Sequence, residues 1–246
     1  MAAYGSLLAW SLLWFVFSGF LGHRLIGRVA RLLPAATQLW FWLAGLYALL
    51  FSALTSVVCL GILIWNGWAT SSQASHGPED LGYLFLVSVL PYLALALLGA
   101  LFAAAFTKLQ PAIEAAKETS ELLKLSSTEH TTFEGIQVRV LETQLLVAAL
   151  VEISRTPIIL VTRGALDALN TEEIKALYWH EVGHGIGEHN GLTRIARFAS
   201  TLLPWLPFAR ESAAAVRELC EKLADKFAAE RVGLSALESA HSKFTF

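Results

Sequence analysis

The chain has 246 residues, 55% of them hydrophobic and only 15% charged, with a mean hydropathy of +0.55. Soluble domains carry about 25% charged residues, so an ordinary water-soluble domain is excluded as a description of the whole chain. A formal net charge of −2 offers no basic surface for nucleic acid, and two cysteines cannot build a disulfide framework.

The apolar excess is localised: no Lys, Arg, Asp or Glu occurs between Arg31 and Glu79, nor between Asp80 and Lys108. Three segments, about residues 4–21, 39–65 and 81–106, approach the length that crosses a bilayer, roughly 20 apolar residues. The first opens Met1-Ala2-Ala3-Tyr4-Gly5, without the basic region of a signal peptide, and reads as a retained helix. Arg24, Arg28 and Arg31 follow the first segment and Lys108, Lys117 and Lys124 the third, whereas the loop after the second has no Lys or Arg and ends in Glu79-Asp80. Basic loops stay in the cytoplasm, which predicts an external N-terminus and a cytosolic chain beyond residue 106, in a multi-pass membrane protein. Trp40, Trp42, Trp65 and Trp68 suit the two interfaces of the second span. Cys59 in that span and Cys220 in a cytosolic helix read as packing residues, in keeping with a reducing compartment.

Residues 107–130 read as a connector. A helix is predicted over 111–125, with Lys117 four residues before Glu121, followed by a polar linker over 126–132 in which His130 is solvated. A domain over 131–233 then opens with strand-like runs at 136–141, 145–151 and 157–161; the first alternates apolar and polar residues, the period of a half-buried strand. A short helix over 162–169 precedes Asn170-Thr171-Glu172-Glu173, where Asn170 is an N-cap and Glu173 its capping-box partner. The helix launched there, 171 to about 188, contains His180-Glu181-Val182-Gly183-His184. Gly183, Gly185 and Gly187 cost about 1 kcal/mol each in a helix, which calls for a close neighbour or fraying after His184. The run 198–208 includes Leu203-Pro204-Trp205-Leu206-Pro207, too short to span; it reads as a segment at the membrane surface, a cover for the site or a buried connection. A last helix is predicted over 212–232, and 234–246 is left as a tail.

The HExxH pattern carries the chemistry. Residues four apart share a helix face, so His180 and His184 can offer imidazole nitrogens to one zinc ion with Glu181 beside it. Such a site needs a third protein ligand and keeps a fourth position for water, whose pKa falls to about 7. Glu218, Glu221 and Asp225 form an acidic stripe on the last helix. Glu221 is the chosen ligand, with Glu218 as the alternative.

His180-Glu181-x-x-His184 together with Glu221-x-x-Ala224-Asp225-x-x-Ala228 resembles a gluzincin, the zinc peptidase class with a glutamate third ligand on a downstream helix. The second motif is similar to that of the HtpX and CAAX prenyl protease group. The run from Thr156 to Leu166, leading through Asn170 and Glu173 to the histidines, is similar to that group and to the BlaR/MecR antirepressor peptidases. Pro204-Trp205-Leu206-Pro207 followed by Ala215-Val216-Arg217-Glu218-Leu219 favours the BlaR/MecR side. The resemblance covers about residues 156–233. It departs after that point: BlaR/MecR sensors continue into another span and an extracellular penicillin-binding domain, and residues 234–246 cannot span, so no antibiotic sensing is expected.

The apolar segments and the resemblance together lead to the expectation of a mainly α membrane protein in which three transmembrane helices, within 1–106, precede a cytosolic α+β domain, gluzincin-like by the resemblance, with a small sheet. Zn2+ would be held by His180, His184 and Glu221, with Glu181 as general base and acid. Asp225 would fix a ligand histidine by a hydrogen bond. Tyr178, His189 and Arg217 are unranked candidates for stabilising the oxyanion. The partners would be a lipid bilayer and a protein or peptide substrate, added as a strand to a sheet edge: a BlaI-type repressor or, on the HtpX side, unfolded membrane proteins. A non-catalytic zinc scaffold is the rival of another class. It would need a fourth protein ligand, and Cys220 points about 100° away from Glu221 on a helix. An intramembrane protease is discounted because Glu172, Glu173, Lys175 and Glu188 flank the motif.

Overall fold

In a computed structural model the chain is mostly helical with one small mixed sheet. The structure describes residues 2–71, 89, 92–93, 96, 99–100, 103, 106–107, 110, 127–153 and 156–243. The chain divides into two compact units, one of residues 1–33, 40–110 and 196–213, the other of 34–39, 111–195 and 214–246.

The first unit contains α1 (Ala2–Ala30) and most of α2 (Ala35–Ser71). Both helices are long and apolar enough to cross a membrane. They correspond to the first two expected spans, and both run further than the apolar segments alone, because nothing in Arg24-Leu25-Ile26-Gly27-Arg28 breaks a helix before Pro34. The third expected span lies outside the described residues except for isolated positions, and so does the helix expected over 111–125. Trp42, Leu43, Leu46, Leu49 and Cys59 of α2 are buried, and Ser11 and Ser56 hydrogen-bond between the two helices at 2.8 Å. Cys59 thus packs as expected.

The same unit receives the end of α5 (His189–Leu202) and the start of α6 (Pro207–Val232). In the run 198–208, Leu203, Leu206 and Phe208 are buried, while Phe198 and Trp205 are exposed. Pro204 and Pro207 bracket the break, and Pro207 opens α6, where a missing N–H costs no helix bond. The last helix therefore begins at 207, five residues before the expected start.

In the second unit, the sheet has four strands in the order β1-β2-β4-β3: β1 (Ser127–Phe133), β2 (Ile136–Leu141), β3 (Ala148–Ile153) and β4 (Thr156–Thr162). β1 replaces the expected linker. It pairs antiparallel with β2 through Glu134 (φ 49) and Gly135 (φ 79), a two-residue turn with both centres left-handed, whose twist suits a hairpin. β2 and β4 are parallel and β3 returns antiparallel at the edge. The other two expected strands appear with bounds shifted by up to three residues.

Helix α3 (Arg163–Ala168) follows from Thr162, whose hydroxyl caps Ala165 N and also binds the Leu145 carbonyl at 2.5 Å. Helix α4 (Thr171–Ile186) starts with the expected capping box: the Asn170 side chain accepts from Glu172 N and Glu173 N, and Glu173 accepts from Asn170 N at 2.7 Å. Val138, Val140, Ile159 and Val161 of the sheet pack with Leu177 and Val182 of α4 in one buried cluster. Residues 234–243, expected as tail, form α7 (Leu234–Lys243), launched after Gly233 at φ 88 and placing Leu237 against Ala176 and Ala228. The alternation of Leu234, Leu237, Ala240 and His241 is helical, and a polar composition hid it.

Candidate metal centre

Three consecutive features of α4 place its histidines. The capping box fixes the start, the cluster of Leu177 and Val182 turns one face onto the sheet, and His180 and His184 then share the adjoining face. Their Nε2 atoms lie 3.1 Å apart. Glu221 of α6 brings Oε2 to 3.5 Å from His180 Nε2 and 3.4 Å from His184 Nε2. Ligands about 2.1 Å from a tetrahedral ion stand roughly 3.4 Å apart, so this triangle has the size of one face of a zinc tetrahedron. The three residues form a group that could hold a metal ion.

The glycines explain how α6 comes so close. A Cβ on Gly183 would stand 3.1 Å from Ala224 Cα and 3.3 Å from Phe227 Cβ, so the bare backbone lets α4 and α6 touch one turn from Glu221. A Cβ on Gly185 would meet Leu150 of β3 at 3.2 Å. Each glycine removes atoms where another element must approach.

Behind these three residues lie further groups. Asp225 Oδ1 is 2.8 Å from His180 Nδ1. His189 occupies the equivalent place for His184, with the two Nδ1 atoms 3.1 Å apart and His189 only 5% exposed. On a straight helix His189 would lie about 140° around from His184. The break at Gly187 and the left-handed Glu188 (φ 50) swing it back. His241 of α7 stands behind Asp225, its Nε2 3.5 Å from Oδ1. His180, Asp225 and His241 form a second group with metal-compatible atoms, sharing His180 and Asp225 with the network around the first.

The electrostatics follow from these contacts. Burial pulls the His180 imidazole down, but hydrogen bonds to Asp225 and Glu221 outweigh it and hold the ring up at about 9. Hydrogen bonds from His180 and His184 keep the Glu221 carboxyl well below the usual carboxylate range. Burial, with His184 nearby, pushes His189 down to about 4, so it stays neutral near pH 7 and its Nδ1 can accept a hydrogen bond from His184 Nδ1. Glu181 is 7% exposed; burial raises its pKa, and its Oε2 accepts from Leu150 N at 2.5 Å. Cys220 is buried, and that burial with neighbouring Glu221 lifts its thiol to about 11, which agrees with packing.

The remaining sequence candidates stand elsewhere. Glu218 is exposed and paired with Lys222 at 2.5 Å, outside the group of Glu221. Tyr178 is buried edge-on to Phe133 at 5.0 Å between ring centres, where it packs the core. Arg217 is exposed. Beside His184 lies a cleft of about 420 Å³ lined by Leu150, Pro157, Gly185, Asn190 and Arg194 among others. Asn190 Nδ2 donates to the Leu150 carbonyl at 3.2 Å, so both backbone groups of Leu150 face the site from the free edge of β3.

No family model matches this chain, and no curated protein does.

Proposed function

We propose that this chain is a zinc-dependent endopeptidase anchored in a membrane, with its peptidase domain on the cytosolic face. The observation that carries the reading is the convergence of His180, His184 and Glu221 on one point, with a buried Glu181 on the same helix turn. Among the described residues no fourth metal-binding side chain joins that trio. Three protein ligands are the pattern of a catalytic zinc site, and a structural site would be closed by a fourth. This favours an enzyme over a zinc scaffold.

Zinc bound by these residues supplies Lewis acidity and a water acidic enough to ionise near pH 7. Glu181 is the base that takes the water's proton and returns it to the leaving amine. Its burial suits it for holding that proton, since burial favours the neutral carboxyl. Asp225 and His189 each accept a hydrogen bond from the Nδ1 of one ligand histidine, which leaves Nε2 of both free for the metal. A peptide lying along the edge of β3 fits the cleft; strand addition there uses the edge backbone groups that alternate with those bonded to β4. Leu150 N–H already binds Glu181, so the peptide and the base compete for that edge position.

The physiological role we propose is regulatory cleavage of a repressor of the BlaI type, as the motif resemblance implies. The test is metal analysis combined with trapping. Wild type and Glu181→Gln are expected to purify with one zinc, and only the wild type hydrolyses peptide. Glu181→Gln cells are expected to retain one DNA-binding repressor. Accumulation of many membrane proteins would instead mark a quality-control protease, and purification without zinc would end the peptidase reading.

A further inference from the structure

The connection between α5 and α6 is apolar, short and seated in a notch made of glycines. No charged residue occurs between Arg197 and Arg210, and the stretch Leu202-Leu203-Pro204-Trp205-Leu206-Pro207-Phe208 contains no polar side chain. A Cβ placed on Gly19 of α1 would stand 2.8 Å from Leu206 Cδ2, and one on Gly45 of α2 would stand 2.7 Å from Phe208 Cζ. A Cβ on Gly22 would meet Phe208 Cδ2 at 3.4 Å, and Trp42 stacks on that ring with centres 5.6 Å apart. Leu206 and Phe208 fill the notch, while Trp205 is 45% and Phe198 41% exposed.

The depth of this seat follows from α1. Gly19 lies five residues before Arg24, the first charge of the chain, which is about 7 Å along a helix axis. Leu206 therefore sits on the apolar side of the level at which Arg24 must reach the interface. In such surroundings every unpaired polar group costs several kcal/mol, and from Leu203 to Pro207 only the Trp205 N–H lacks a bond within the described residues. Pro204 and Pro207 have no N–H, Leu203 N donates to Ala199 O at 2.9 Å and Leu206 N to Leu203 O at 3.1 Å. The hydroxyls of Ser200, Thr201 and Ser212 all turn back onto helix carbonyls. Arg197 and Arg210, both exposed, flank the stretch where long side chains can reach the headgroups.

We infer that the α5–α6 elbow is a re-entrant anchor that enters the leaflet next to Arg24 and exposes Trp205 and Phe198 to lipid. The two ends of the elbow lead into the helices that carry His189 and Glu221, so the anchor adds a membrane attachment to the domain beyond the spanning helices. The inference rests on α1 and α2 spanning a bilayer and not on the metal reading.

The test uses an environment-sensitive fluorophore on single cysteines in vesicles of neutral and anionic phospholipid, in a background with Cys59→Ala and Cys220→Ala. Trp205→Cys is the probe, Trp14→Cys on exposed α1 the membrane control, and Glu230→Cys the aqueous control. The expected result is that lipids spin-labelled high on the acyl chain quench Trp205→Cys and Trp14→Cys, while iodide quenches only Glu230→Cys. Adding Gly19→Leu, which fills the seat of Leu206, is expected to raise iodide quenching at Trp205→Cys. If Trp205→Cys behaves like Glu230→Cys while Trp14→Cys is quenched by lipid, the anchor is overturned and the spanning helices stand. If Trp14→Cys is also reached by iodide, the membrane reading beneath the inference falls with it.

Discussion

His180 and His184 differ in what stands behind them: a carboxylate for the first and a neutral imidazole for the second. Both partners fix the tautomer that frees Nε2, so Asp225→Asn and His189→Ala are each expected to weaken zinc binding about 10- to 100-fold with helix content unchanged. Competition against a chromophoric chelator measures it, and unaltered affinity in His189→Ala would remove that residue from the site. The pH dependence has a definite sign. His180 is raised from 6.5 to about 9 in the metal-free fold, so its protonated form stabilises that fold fully below pH 6.5, and the contribution is lost as pH rises through 9. The metal-free protein is therefore expected to melt at lower temperature at pH 9 than at pH 7. Zinc must displace the same proton, so its apparent affinity is expected to rise across that window by up to about tenfold per pH unit. The pair His180 and His184 and the acidic stripe of Glu218, Glu221 and Asp225 were legible because a helix repeats every three or four residues, whereas which of those acids faces the histidines depends on contacts across about 40 positions. His189 could not be ranked, because its role depends on a helix break that a continuous 3.6-residue period hides.

At the scale of elements the site depends on how closely α4, α6 and α7 meet. Gly183→Val would place a branched side chain against Ala224 and Phe227 and force α4 and α6 apart. The expected outcome is loss of zinc from a protein that remains helical, read by metal content and circular dichroism together. Helix α7 is held by Glu173, 2% exposed, which accepts from Ser239 Oγ at 2.6 Å and Lys243 Nζ at 2.6 Å while closing the α4 capping box. Those bonds hold its carboxyl down at about 2, the Lys243 contact leading. One acid thus starts the HExxH helix and pins the helix that carries His241. Leu237 is 2% exposed against Ala176 and Ala228, and Leu237→Ala is expected to cost about 2–5 kcal/mol in denaturant unfolding. The capping box was readable in full, since Asn170 and Glu173 are neighbours in sequence. The pin from Ser239 and Lys243 was not, because it joins residues 66 and 70 positions away from Glu173. β1 was missed for a related reason: its polar residues gain strand geometry from pairing with β2, and the only local signal was the Glu134-Gly135 turn.

At the scale of the molecule, the proposed membrane topology rests on charge asymmetry along α1. The helix carries no Lys, Arg, Asp or Glu before Arg24, then Arg24 and Arg28, with Arg31 in the turn before α2. α2 has no acidic or basic residue in its first or last turn, so nothing on that helix opposes the bias. Basic residues within a short connection keep it cytoplasmic, and the first helix usually dominates. A tag fused before Met1 is therefore expected to be reached by a membrane-impermeant reagent in intact cells, while one placed at the Arg31–Pro34 connection is protected until the membrane is opened. Replacing Arg24, Arg28 and Arg31 by glutamate is expected to invert or scramble that pattern. The same inversion would carry the proposed peptidase domain away from the cytosol, so on the proposed function a cytosolic repressor would escape cleavage although purified protein still bound zinc and hydrolysed peptide. That separation of intact chemistry from lost biology ties the proposed substrate to its compartment. If cleavage in cells survived a verified inversion, the substrate would have to be sought on the other side of the membrane.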